Sequence, residues 1–365
     1  NYKKTESQLI EELYFLLDDS TKKRMVADTE IGILLSGGLD SSVISYFANK
    51  HSSNKLKTFS INFKEHDFDE SKYAKTVSNK FNTNHYSILF SNNFGYDLQK
   101  EIYKCNDLIS DSSILPFYLL CKNTSKKVKV ALGGDAADEL FAGYDTFKAL
   151  KLYNNFNKFV STKKIHPFLR LFSNLIPIKE YSYMNLKFKI DRFLKFDQNN
   201  LALANPMWLA PLRINQIQTL FGKKLSYEEI YSEILEEWEK NDTKNTFDKA
   251  LEFYVKFFLQ NQILTKTDRF SMLNSLEVRA PFLDYNFIEC VRKIPNNLKY
   301  KNGVNKYIFK KMSEKIFDKK FVYRKKIGFS SPISKMIINN QLNLKIKSKF
   351  LKSNQKLFLS LIDNH

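Results

Sequence analysis

The chain has 365 residues, 43% hydrophobic and 27% charged. At about 100–200 residues per domain this allows two or three packing units or one large domain, and it excludes wholesale disorder. The 58 Lys+Arg against 39 Asp+Glu give a net +19, a balance that raises nucleic acid as a partner. Residues 299–365 alone hold 17 basic and 3 acidic side chains, so most of the excess is local. It reads as a solvated lysine-rich face, or in part as a basic wall facing a polyphosphate, rather than as a duplex-binding surface. No apolar run reaches the roughly eighteen residues of a membrane helix, and the polar stretch Asn1 to Gln8 has no leader character. Cys105, Cys121 and Cys290 are too few and too scattered for a disulfide framework or a zinc site, so a reduced, cytoplasmic compartment is expected.

The apolar spacing of Leu9, Ile10, Leu13, Leu16 and Leu17 predicts an amphipathic helix over Thr5 to Thr21. A short apolar strand from Glu30 to Leu35 ends in Ser36-Gly37-Gly38, and a helix follows from Ser41 to Lys50. Lys57 to Phe63 reads as a second strand, Asp69 to Phe81 as a helix, His85 to Phe90 as a third strand and Ile114 to Lys122 as a helix. Lys127 to Leu132 is a fourth strand ending at Gly133-Gly134. Strands alternating with helices and turning at glycine predict a doubly wound parallel α/β sheet. Beyond Tyr144 the strand signals fade, and Tyr227 to Glu239 and Thr246 to Leu264 read as long helices. The expected organisation is one synthetase-type domain over 1–365, with an α/β nucleotide-binding part at 1–146 and a mainly helical part at 147–365.

Ser36-Gly37-Gly38-Leu39-Asp40-Ser41-Ser42 lies between a buried strand and a helix, where open α/β sheets bind ligands. Its glycines let backbone N–H groups approach a phosphate, its serines add hydroxyls, and the helix start adds partial positive charge. Asp40 beside such a cradle implies an intervening divalent cation. A plain glycine turn with a Ser/Asp cap is the bland alternative. Gly133-Gly134-Asp135-Ala136-Ala137-Asp138-Glu139 ends a second strand, so Asp138 could meet Asp40 across one Mg²⁺ site. Taken alone, that acidic turn is a helix cap. In a third segment, from Leu264 to Asp284, charges interleave with apolar residues, which suits a half-buried ion network as well as a site. In a fourth, Lys306 and Tyr323 to Pro332 bring lysines beside a glycine loop, which can neutralise charge on a phosphate or simply form a basic surface run.

The first loop is not a Walker A sequence. It resembles the pyrophosphate loop of the ATP pyrophosphatase superfamily, whose fold is adenine nucleotide alpha-hydrolase-like (PP-loop). Leu34 to Ser42, Phe59 to Ala74, Asp111 to Tyr144, Leu264 to Asp284 and Asn302 to Pro332 together resemble the C-terminal synthetase domain of the glutamine-hydrolysing asparagine synthetase family. The resemblance implies an ATP-dependent, AMP-forming amide ligase with ATP and Mg²⁺, a small-molecule carboxylate (aspartate foremost) and ammonia. It implies that Leu35, Ser36, Gly37, Gly38, Asp40, Ser41 and Ser42 bind the pyrophosphate and adenosine, with Asn62, Phe63, Gly133 and Gly134 near the nucleotide. Asp40 and Asp138 would hold the metal, Lys326 would stabilise the transition state, and Asp135 would face the acyl substrate and the amine. Glu139, Arg279 and Asp284 would stand on the substrate side or support it.

The family's glutamine-dependent members begin with a Cys-led glutaminase domain. This chain opens with Asn1 in the synthetase part, so that domain is expected to be absent here: either the chain is a fragment of a longer protein, or ammonia comes from solution or a separate glutaminase, or the nucleophile is not ammonia. Where the family often has Ser-Gly-Asp-Gly-Gly, this chain has Gly133-Gly134-Asp135-Ala136-Ala137, which removes a hydroxyl and restricts the backbone. The alternatives are an amidotransferase-like enzyme acting on a surface-polysaccharide sugar or another carboxylate, a tRNA-modifying relative, and an inactive nucleotide-binding homologue. Neither membrane nor nucleic acid is an expected partner, and a homodimer is allowed.

Overall fold

A computed structural model describes residues 4–64, 69–90, 111–157, 171, 186–196, 200–326 and 328. Helix α1 (Glu6–Arg24) starts at a capping box, in which the Thr5 side chain accepts from the Gln8 amide and the Gln8 side chain from the Thr5 amide. Leu9, Leu13 and Leu17, four residues apart, form its fully buried stripe. Strand β1 (Ile31–Leu34) is buried along its whole length, as a strand covered on both faces must be. Then come α2 (Leu39–His51), β2 (Lys57–Asn62), α3 (Ser71–Lys80), β3 (Asn84–Leu89), α4 (Ile114–Thr124), β4 (Val130–Leu132) and the single-turn α5 (Ala137–Leu140). Apart from α5, these are the elements expected from the alternating pattern, with ends displaced by no more than three residues.

With β5 at Glu277–Arg279, the sheet order is β3-β2-β1-β4-β5, and every pairing in it is parallel. Ile31 pairs with Val130 on one side of β1, and Ile33 with Thr58 on the other. The chain therefore winds outward from β1 to β3, returns, and resumes at β4. Right-handed crossovers in opposite directions put the connecting helices on opposite faces, which is the doubly wound α/β architecture. The reversal between β1 and β4 leaves the loops after those two strands side by side at the carboxyl end of the sheet.

Strand β5 (Glu277–Arg279) was not foreseen. It has three residues, charged at both ends, and reads as an ion network in sequence. Tertiary pairing makes it an edge strand: Val130 pairs with Glu277 and Leu132 with Arg279. Residues 246–264 do not form one α-helix. An α-helix over Thr246–Phe253 passes into a π-helical stretch, Tyr254–Leu264. The predicted helix at 227–239 starts at a Ser226/Glu229 capping box but breaks at Tyr231, whose backbone leaves the helical region (φ −116°, ψ 23°), before Ser232–Lys240 begins.

The described residues of 4–144 and 254–328 cluster as one compact unit. The sequence partition places 254–328 with the helices. In the structure β5 and the following helices α7 (Tyr285–Lys293) and α8 (Tyr307–Ser313), after α6 (Thr265–Met272), pack with the sheet, and Phe282, Phe287, Ile308 and Phe309 join its core. A second unit spans 145–253 and is helical in its described parts. Rings pair there at 5.1 Å (Phe147 and Phe247), 5.0 Å (Tyr153 and Phe196) and 5.9 Å (Phe193 and Trp208). A cavity of about 220 Å³ in this unit is lined by residues including Lys195, Met207, Arg213 and Tyr231.

Candidate active site

The loop after β1 is held closed by its own serines. The Gly38 amide donates to Ser36 Oγ at 3.1 Å, and Ser41 and Ser42 hydroxyls donate to the Gly38 carbonyl at 3.2 and 2.7 Å. Ser36 Oγ stands 3.1 Å from Ser41 Oγ. Gly37 has φ +88°, and a Cβ there would sit 2.7 Å from both the Ala74 nitrogen and the Glu70 oxygen. No other residue combines that backbone with that approach. Leu35 is fully buried, with its amide bonded to the Phe59 carbonyl at 2.8 Å. Asn62 accepts from Ser87 Oγ at 2.6 Å, and Phe63 is buried against Phe90 with ring centroids 5.4 Å apart.

The loop after β4 lies against this one. A Cβ on Gly134 would come within 3.0 Å of the Ser41 nitrogen and 3.2 Å of Asp40 Cβ. The Gly133 amide donates to the Arg279 carbonyl at 2.9 Å. Ala136 takes the left-handed conformation, φ +79°, just before α5. The alanine that stands where glycine is usual thus still adopts a glycine-like backbone, at the expense of local strain of about 1 kcal/mol.

Asp40 and Asp138 converge on one cation. Lys306 Nζ stands 2.7 Å from Asp40 Oδ1 and 2.8 Å from Asp138 Oδ1, on a side chain only 6% exposed. Lys326, half-exposed, donates to Asp138 Oδ2. Burial would raise the Asp138 carboxyl, but Lys306 and Lys326 outweigh it and hold the group well below the usual carboxylate range. Burial would lower Lys326, and Asp138 and Asp40 overcome it to push the amine up. Glu139 is buried beside Asp138, and burial followed by that charge lifts it to about 7, although the Tyr144 hydroxyl donates to it.

Asp135 accepts from Thr267 Oγ1 at 3.0 Å, and burial pushes its carboxyl up against the opposing pull of Lys266. Lys266 in turn donates to Asp111 Oδ2 at 3.0 Å and Ser113 Oγ at 2.8 Å. Burial would raise Asp111, but Lys266 and the Ser113 bonds keep it lowered. Arg279 and Asp284 are turned to other partners. Arg279 holds the carbonyls at the end of α1, those of Arg24 at 3.0 Å and Val26 at 2.7 Å. Asp284 caps α7 and pairs with Arg24 at 3.1 Å.

Three positions in this cluster carried no assigned role in the sequence. Arg324 donates to the Gly37 carbonyl and stacks over Tyr73 and Phe321, its guanidinium carbon 4.3 and 4.0 Å from the ring centroids. Thr267 orients Asp135. Gly143 makes room for Asp138 and Lys306, since a Cβ there would fall 2.3 Å from Lys306 Cε. Each stands inside a motif segment, but Gly37 is 287 residues from Arg324, Asp135 is 132 from Thr267, and Lys306 is 163 from Gly143, so spacing alone could not identify them.

Two carboxylates facing one cation position at the mouth of a glycine loop suit a divalent ion whose other ligands are phosphate oxygens and water. Among the described residues no group of three or more His, Cys, Asp or Glu forms a self-sufficient metal cage. No described helix is long and apolar enough to cross a membrane.

A family model described as asparagine synthase matches residues 12–364. Asparagine synthetase [glutamine-hydrolyzing] 1 of Bacillus subtilis is 29% identical over 99% of this chain and 56% of its own length. A putative asparagine synthetase [glutamine-hydrolyzing] 2 of Methanocaldococcus jannaschii is 31% identical over 75% of this chain and 51% of its own. The putative asparagine synthetase of Mycobacterium tuberculosis H37Rv is 26% identical over 88% and 48%. The chain thus spans about half the length of the curated relatives it matches. Among solved structures, NMN synthetase from Francisella tularensis aligns with 64% of this chain and 92% of its own at 14% identity and a TM-score of 0.25. With a family match running through both strand-end loops and nearly the whole sequence, the chain belongs to the asparagine synthase family.

Proposed function

We propose that this chain is an ATP-dependent amide-forming synthetase that activates a small carboxylate, aspartate foremost, as its acyl-adenylate and passes the acyl group to ammonia. The supporting observation is the convergence of Asp40 and Asp138 on one cation position, 2.7 and 2.8 Å from Lys306 Nζ, beside a loop whose Gly37 and Gly38 bring backbone close to the phosphates. A carboxylate oxygen of the substrate attacks the α-phosphorus, and the bond to the β-phosphate oxygen breaks to release pyrophosphate. Ammonia then attacks the acyl carbon, the bond to AMP breaks, and the proton shed by nitrogen goes to a base.

Residues Ser36 to Ser42 cradle the departing pyrophosphate through backbone N–H groups and the start of α2. Asp40 and Asp138 would hold Mg²⁺, which when bound offsets charge on the phosphate oxygens. Lys326 would supply positive charge where negative charge grows on the phosphate oxygens in the transition state. Asp135, with a carboxyl raised by burial, would serve as the base for the incoming amine. Leu35, Asn62, Phe63, Gly133 and Gly134 border the nucleotide in this reading, and Glu139 supports Asp138. Arg279 and Asp284 keep α1 and α7 in place rather than touch substrate. The ammonia is free or drawn from glutamine hydrolysed elsewhere.

The test is product analysis with ATP, Mg²⁺, ammonia and a panel of carboxylic acids. AMP, pyrophosphate and asparagine in equal amounts are expected with aspartate, and none with Asp40→Asn. ADP and orthophosphate in their place would sink the reading. Amide formation from a uronic acid but not from aspartate would move the substrate to a surface sugar.

A further inference from the structure

Lys306 Nζ stands between Asp40 and Asp138, 2.7 and 2.8 Å from their Oδ1 atoms. Its backbone is in the left-handed region, φ +53°, with its amide bonded to the Phe141 carbonyl at 3.2 Å immediately before α8. A lysine held in that conformation and 6% exposed is a built feature, because positive φ and a buried ammonium both need compensation. Gly143 supplies the space for it.

We infer that Lys306 makes metal binding conditional on the nucleotide: its ammonium holds Asp40 and Asp138 together, so that the chain accepts a divalent ion with a polyphosphate and not alone. The inference rests on the reading of those carboxylates as the metal pair. Two charges, −1 each, already face Lys306 and Lys326, so the cluster is balanced as it stands. A bare divalent ion would add two positive charges beside two ammonium groups. It would also need carboxylate oxygens at about 2.0–2.1 Å, a position it cannot share with Nζ at 2.7 and 2.8 Å. Lys306 must withdraw, and a buried ammonium withdraws only if new anionic oxygens take over from the carboxylates. A nucleotide polyphosphate brings that charge. Metal and nucleotide affinities are then linked, each raising the other by the same factor.

The experiment titrates the full chain with Mn²⁺ by electron paramagnetic resonance, with and without α,β-methylene-ATP, in the wild type, Lys306→Met and Lys306→Arg. In the wild type, Mn²⁺ should bind about tenfold or more tightly with the analogue than without it. Lys306→Met should gain affinity for bare Mn²⁺ and close most of that gap, while Lys306→Arg, which keeps the cation, should retain it. Circular dichroism shows whether Lys306→Met is folded. If it is not, the wild-type pair of titrations decides: equal Mn²⁺ affinity with and without the analogue overturns the inference. An unchanged gap in folded Lys306→Met also overturns it, leaving the metal site intact. No Mn²⁺ binding under either condition overturns the site reading and this inference with it.

Discussion

A Cβ on Gly143 would stand 1.9 Å from Oδ1 of Asp138. The glycine also bonds Asp138 through the backbone, its amide donating to the Asp138 carbonyl at 2.7 Å. The position of this carboxylate thus depends on a hydrogen atom five residues further along. Gly143→Ala should push Asp138 and Lys306 apart and destabilise the fold by about 1–3 kcal/mol, as overpacking does. Pyrophosphate release should fall by about 10²-fold, since displacements near 1 Å at a reacting centre have that effect. Denaturation midpoints and single-turnover rates check both figures, and a variant with wild-type turnover would show that Asp138 need not stand where it does.

Arg324 ties the segment that carries Lys326 to the loop that carries Gly37. Replacing it with alanine removes a charge-assisted hydrogen bond worth about 1.5–3 kcal/mol and two ring contacts. The Gly37 peptide can then rotate, turning its neighbouring N–H away from the phosphates. A rise of about tenfold in KM for ATP, with a smaller change in kcat, is the expected pattern. A mutant with unchanged KM and depressed kcat would place the residue in the transition state instead.

Lys326 has the opposite signature. Its ammonium is engaged with Asp138 and lies 5.7 Å over the Tyr144 ring, available to developing charge. Lys326→Met should lower kcat by about 10²–10³-fold, in line with the loss of one electrostatic stabiliser. Nucleotide affinity, read by equilibrium binding of an unreactive analogue, should change far less. Equal losses in the two measurements would mark Lys326 as a ground-state binder.

The pH response of the sheet turns on His85. Its ring lies between Thr58 Oγ1 at 2.9 Å and Ser60 Oγ at 3.2 Å, and burial, aided by Lys75, lowers its pKa below the usual 6.5. The folded state therefore binds fewer protons than the unfolded chain around that value. The stability it contributes is present above pH 6.5 and is lost as the pH falls toward the lowered folded value. Urea denaturation at pH 7.5 and pH 5.5 should show a smaller decline for His85→Gln, which keeps hydrogen-bonding capacity without the titration. Identical declines would remove His85 from the account.

The centre of the sheet was legible in the sequence because β1 and β4 are fully buried apolar runs that stop at glycine. β1 and β4 end at Ser36-Gly37-Gly38 and Gly133-Gly134, and these runs predict both the strands and the loops. The capping box at Thr5 and the buried leucines of α1 are equally local signals. Short elements gave none. β5 is a strand only because β4 offers it hydrogen bonds.

The residue types of the candidate nucleotide and metal site, and their places at strand ends, were legible in sequence alone, since serine, glycine and aspartate in that order after a buried strand suit a phosphate cradle. Tertiary structure decided which partners those residues keep. Lys306 stands between Asp40 and Asp138, Arg324 on Gly37, Thr267 on Asp135, and Arg279 and Asp284 at the ends of α1 and α7. Such pairings bridge segments up to some 290 residues apart, and their strength depends on distance and burial in three dimensions, which no one-dimensional spacing encodes.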